Sequence, residues 1–145
     1  LNKFEHIIDE NGVERYYKDG KHHRVDGPAA KYPNGKEFWY LNGELHREDG
    51  PAEKYTNGIE KWYLNGELHR VDGPAVKRGD GTEYWYLHGK CHREDGPAAK
   101  YPDGTEEWYL NGVEYSKEEF DKIQSNKKYN TITLNGEEFR LVPIK

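Results

Sequence analysis

The chain has 145 residues, a net charge of −5 and a mean hydropathy of −1.22; its longest apolar runs are four residues, as at Phe38 to Leu41. That is one domain's worth of chain, and it contains no stretch able to form a transmembrane helix. Leu, Ile, Val and Phe number only 25, a level that accompanies disorder, yet 14% of the residues are aromatic and recur at a fixed interval. Tyr and Trp therefore replace aliphatics as the burying groups, and a folded chain with a thin aromatic core is expected.

Residues 113–145 carry six acids and six bases, so the net charge belongs to residues 1–112. Lys and Arg are interleaved with Asp and Glu throughout, which argues against a nucleic-acid-binding stripe. The single Cys91 has no intrachain disulfide partner and fits a reducing, cytoplasmic compartment. The opening residues show no signal-peptide pattern, and Leu1 reads as following a removed or omitted initiator Met.

Taken in chain order, Phe4 to Tyr17 with Asn11-Gly12 at its centre predicts an opening hairpin, and Asp19-Gly20 a second tight turn. His-Arg-x-Asp-Gly-Pro-Ala then occurs four times, from His23, His46, His69 and His92, always 23 residues apart. Trp39, Trp62, Trp85 and Trp108 keep the same step, as does the Tyr-Leu pair after each; Tyr16-Tyr17 fills the slot of a degenerate first unit. A fixed period of this length means stacked units that bury apolar residues against their neighbours.

Within a unit, an aromatic run, a turn and a second short run predict a hairpin. Its turns are Asn42-Gly43, Asn65-Gly66, His88-Gly89 and Asn111-Gly112; a second series, Asn34-Gly35, Asn57-Gly58, Asp80-Gly81 and Asp103-Gly104, joins the units. The expected fold is mainly β: a single antiparallel meander over 1–112, closed by a small α+β cap over 113–145. Strand alternation places Trp39, Leu41 and His46 on one face, with Tyr40 and Leu45 on the other. The slot before each Trp varies as Phe38, Lys61, Tyr84 and Glu107. Asp-Gly-Pro-Ala reads as a bend that folds the strand end over the sheet edge, with a plain surface loop as the alternative. In the cap, Ser116 and Glu119 have capping-box spacing before a helix over about 117–125. A hairpin over about 129–142 follows, turning at Asn135-Gly136.

The run Trp-Tyr-Leu-Asn-Gly-x-Leu-His-Arg-x-Asp-Gly-Pro-Ala resembles the MORN repeat, in the variant found in bacterial antitoxin-like, phage and large-virus proteins. It covers roughly residues 11–112, with Arg24, Arg47, Arg70 and Arg93 where the family has Gly after His. The resemblance implies a non-catalytic scaffold or partner-binding protein of microbial or viral origin. One such role is a phage protein that inhibits a bacterial defence or other host protein.

The candidate chemistry points the same way. His46, His69 and His92 lie on rungs about 9–10 Å apart, too far to share a zinc ion, and four identical sets do not resemble one catalytic constellation. These His residues and the Trp ladder are read as structural, with His packed on Trp and Arg paired with Asp. His88, Cys91 and His92 cluster in sequence but lack a fourth metal ligand, so no metal or other cofactor is expected. The ladder of Tyr40, Tyr63, Tyr86 and Tyr109, beside the variable slots, admits cross-strand packing, a protein contact or base stacking. The leading expectation is protein binding on that face; the alternative is sequestration of a nucleotide-type ligand. One short helix cannot cover a single-layer sheet, so either the Asp-Gly-Pro-Ala bends roll it into a curved, half-closed body or another chain covers the Trp face; a homodimer is the expectation.

Overall fold

The computed structural model describes residues 3–129, 131–134 and 137–140. Phe4–Ile8 pairs antiparallel with Glu14–Lys18. Asp9 closes this opening hairpin, its Oδ1 accepting the N–H groups of Asn11 and Val13 while Oδ2 takes the Arg15 guanidinium at 2.7 Å.

Each later unit is one long hairpin with an excursion in its returning arm. Around Trp39, Glu37–Phe38 and Tyr40–Leu41 run outward, and Glu44–Leu45 and Glu53–Lys54 return. Tyr40 faces Leu45 beside the turn, and Phe38 faces Glu53 farther down. Trp39 alone spans the gap. It accepts the N–H of His46 at 3.0 Å and donates its own N–H to the Ala52 carbonyl at 2.7 Å. Residues 47–51 are thus looped out of a strand that resumes where it left off. The bend over the sheet edge expected for Asp-Gly-Pro-Ala is therefore a mid-strand loop: Trp39 holds both of its ends, so the strand has no free end to fold. Trp62, Trp85 and Tyr16 make the same pair of bonds, so Tyr16 does occupy the Trp slot of the first unit.

The inner arms of successive units join in one 12-stranded antiparallel sheet. The outer hairpins, such as Tyr63–Leu64 with Glu67–Leu68, pair within themselves. Arg47 N–H to Tyr63 O at 3.0 Å and Gly66 N–H to Leu45 O at 2.8 Å tie one outer hairpin to the next. The meander is present, in two tiers.

The two turn series differ in chemistry. Asn42, Asn65, His88 and Asn111 have φ near +50°, followed by Gly at positive φ, the type I′ geometry of a two-residue hairpin. In the joining series only the Gly has positive φ. There the preceding side chain accepts the N–H two residues on, as Asp80 does from Thr82 at 2.8 Å.

Three rows cross the inner sheet. Continuing the registers by one residue sets Trp39 and Trp62 either side of Ala52. Ala29, Ala52, Ala75 and Ala98 are all 0% exposed, while every Trp keeps part of its surface in solvent. The fully buried residues are thus the alanines rather than the indoles, a correction to the expected aromatic core. A single layer has no second sheet to cover the rings. On the same face Glu37, Lys54, Glu60, Lys77, Glu83 and Lys100 alternate in register as a charge ladder. The opposite face carries the variable row.

At the end, Glu106–Leu110 pairs with Val113–Tyr115, placing Tyr115 opposite Trp108. Ser116 N–H donates to Glu119 Oε2 at 2.9 Å and Glu119 N–H returns to Ser116 Oγ at 3.2 Å, the expected capping box. The helix runs Lys117–Tyr129, four residues beyond the expected end, because no Gly or Pro interrupts it. Phe120 is buried at 4% exposure, and Lys127 reaches Glu94 at 3.0 Å. Thr131–Leu134 pairs with Glu137–Arg140; the Asn135-Gly136 turn and residues 141–142 lie outside the described residues.

Candidate functional site

The loop that interrupts each hairpin is built around its arginine. The Arg47 guanidinium lies over the Trp39 ring at 4.2 Å, and its Nε donates to Asp49 Oδ1 at 2.8 Å. Arg70 over Trp62 at 4.3 Å and Arg93 over Trp85 at 4.2 Å repeat this, and Arg24 covers Tyr16 at 4.0 Å. A Cβ on Gly50 would stand 2.8 Å from Arg47 Cζ, so a larger residue here would push the guanidinium off its place. Arg–Asp pairing inside one unit is as expected. The group packed on Trp, however, is Arg and not His.

The histidine points along the array instead. His23, His69 and His92 each accept, at Nδ1, the backbone N–H that opens the next unit's turn, at 3.0, 3.2 and 2.9 Å. His46 stands the same way to Asn65. Each bond joins a unit to its successor. Burial, and then the neighbouring His88 ring at 4.4 Å, lower the His69 pKa and favour the neutral acceptor.

Between successive loops lie three equivalent clefts. The first is floored by Trp39 and Leu41, the second by Trp62 and Leu64, the third by Trp85 and Leu87; their volumes are about 380, 540 and 460 Å³. Each cleft has one loop as either wall. The x positions of the motif form the loop tips, and they alternate Val25, Glu48, Val71 and Glu94. Every cleft therefore sees one Val tip and one Glu tip. Val25 and Val71 are 83% and 82% exposed, so burial does not account for them. Sequence reasoning missed this site; the signal was a two-state alternation inside an otherwise constant heptad.

The Tyr face looks different. Its variable slots pair across the sheet with a second variable set, Ala30, Glu53, Val76 and Ala99, all buried. Phe38 meets the edges of Tyr32 and Tyr55. Lys61 pairs with buried Glu53 at 2.9 Å. Tyr84 packs edge-on against Tyr101 with Arg78 over its ring. Glu107 accepts the hydroxyls of Tyr101 and Tyr109, both at 3.3 Å. Burial and then the Glu107 charge push the Tyr109 hydroxyl up to about 12. Burial likewise raises Tyr40, Tyr63 and Tyr86. The slots differ because each is matched to its own partner, which the single-strand reading could not show.

His88, Cys91 and His92 are not brought together. Cys91 faces Tyr86, its Sγ 3.8 Å from the Ala98 carbonyl, whereas His92 is engaged with Asn111 on the Trp side. Burial and the Glu107 charge push the Cys91 thiol up to about 11, which keeps it protonated and unreactive at neutral pH. Among the described residues no group of three or more His, Cys, Asp or Glu is placed to hold a metal ion, and no helix is long and apolar enough to cross a membrane.

No family model, curated protein or solved structure matches this chain.

Proposed function

We propose that this chain is a non-catalytic protein-binding module whose contact surface is the row of three clefts on the Trp face. The observation that carries this reading is the repetition itself: three floors of Trp and Leu, each walled by the same two loop tips, one apolar and one acidic. Partly exposed indoles in partly walled pockets are what interface anchors require. The Tyr face, by contrast, spends its variable residues on internal partners. The resemblance to the MORN variant supports the binding class, with occupation of a host protein as the corresponding mode of inhibition.

Panning a displayed library of random twelve-residue peptides against the full chain tests this. Peptides should be retained, and Glu48→Lys at a loop tip should lose them. Retention unaffected by Glu48→Lys but abolished by Tyr63→Phe and Tyr86→Phe would move the surface to the other face. Failure to retain any peptide, with a melting shift on adding nucleotides, would favour a nucleotide-type ligand.

A further inference from the structure

Resting on that reading, we propose that the three clefts together take one segment in polyproline II conformation, proline-rich and basic, with every third residue seated in the clefts that Trp39, Trp62 and Trp85 line. The repeat distance decides the conformation. Successive units are two strands apart, and strands lie about 4.7–4.9 Å from one another, so the clefts recur every 9.4–9.8 Å or so. A polyproline II helix advances about 3.1 Å per residue with three residues per turn, returning to the same side every 9.3 Å or so. A β-strand returns to one side after about 6.8 Å. An α-helix does so after about 5.4 Å, and its width of about 10 Å suits a broader groove. Only the first keeps step across three clefts.

Charge decides the composition. In each loop the guanidinium is turned inward over a ring, its side chain only 21–26% exposed. The paired aspartates stand outward at 81–85%. Glu48 adds a carboxylate at its tip, whereas the Glu94 carboxylate is already held by Lys127 at 3.0 Å. The rim is acidic although the loops contain four arginines. A ligand with proline on the floor and a cation beside Glu48 or the outward side of a loop aspartate meets both the aromatic and the acidic elements.

Fluorescence polarisation with labelled (Pro-Pro-Lys)3 tests the inference. The full chain should bind it at least about tenfold more tightly than (Gly-Gly-Lys)3, which has the same charge without a preformed helix. Affinity should rise from one repeat to three and gain little from a fourth, because there are three clefts. Glu48→Lys should weaken binding about tenfold with an unchanged melting temperature, so that lost binding is not lost folding. Equal binding of the glycine peptide would overturn the inference. Panned peptides that depend on Glu48 but lack a three-residue period would overturn it too, leaving the protein-binding reading intact. Binding of cellohexaose in the clefts, with no peptide retained, would sink both.

Discussion

The two faces of this sheet solve opposite problems. On the Trp face one arrangement is repeated: indole, covering guanidinium, aspartate, glycine beneath the guanidinium and histidine joined to the next turn. On the Tyr face the contact follows the residue in the slot: an edge-on ring pair at Phe38–Tyr55 and again at Tyr84–Tyr101, an ion pair at Lys61, and a carboxylate between hydroxyls at Glu107. A constant row gives an evenly spaced surface. A varied row gives each strand a distinct neighbour, which opposes slippage of otherwise interchangeable units by a register of 23 residues.

The constant row should respond the same way wherever it is struck. Trp62→Ala should cost about 2–4 kcal/mol, below the value for a fully buried indole, because these residues keep part of their surface in solvent. Trp39→Ala and Trp85→Ala should agree with it to within about 1 kcal/mol in chemical denaturation. A spread much wider than that would mean the units are not equivalent.

The varied row should respond by identity. Lys61→Phe, which copies the residue of the preceding unit, removes the ion pair of the Glu53 carboxylate at 8% exposure and leaves it only the Tyr55 hydroxyl at 3.2 Å. A loss of about 2–3 kcal/mol is expected. Adding Glu53→Val should recover most of it, since Val76 already serves opposite Tyr84. An additive double mutant would show that the two slots are not coupled.

Gly73→Ala is a smaller blow to the constant row, because its Cβ would meet Arg70 Cζ at 3.0 Å. About 1 kcal/mol should be lost as the guanidinium shifts off Trp62. In an Arg70→Ala background the same change should cost nothing further.

The smallest expected effect is the pH response of the histidine that joins the third unit to the fourth. His69 is held neutral below its ordinary value of 6.5, so its contribution is complete above that pH. As pH falls from there through the lowered folded value, the unfolded chain takes up the proton first and stability declines. His22, lowered by burial and by Arg15, adds a decline of the same sign. Unfolding free energies between pH 7.5 and 5 should fall, and His69→Gln should flatten the slope. An unchanged slope would mean that burial and the neighbouring His88 do not hold His69 neutral.

The period, both turn series, the opening hairpin, the capping box and the partition of faces were all legible in the residues, because each rests on local backbone chemistry or on spacing. The loop was not. His-Arg-x-Asp-Gly-Pro contains the expected breakers, but whether a strand stops or resumes beyond them depends on a single Trp bonding to both ends. Arginine was assigned to its aspartate and histidine to the indole, since sequence separation does not reveal which side chain can fold back. The pairing of Phe38, Lys61, Tyr84 and Glu107 with Ala30, Glu53, Val76 and Ala99 stayed hidden for a related reason. Each slot has one cross-strand neighbour eight residues back across the joining turn, and Phe38, Lys61 and Tyr84 have another fifteen residues on across the loop; the second register depends on the length of the loop.

Four indole N–H groups give the most direct test of the claim that the Trp face carries binding. Trp39, Trp62 and Trp85 each lie between two loops, whereas the strand opposite Trp108 leads into Ser116 and the helix. Their resonances should be followed by NMR while a panned peptide is added. The account predicts that three indole signals move together along one saturation curve, while Trp108 and the rings of Tyr40, Tyr63 and Tyr86 stay in place. Movement of the Tyr rings with all four indoles unmoved would contradict it.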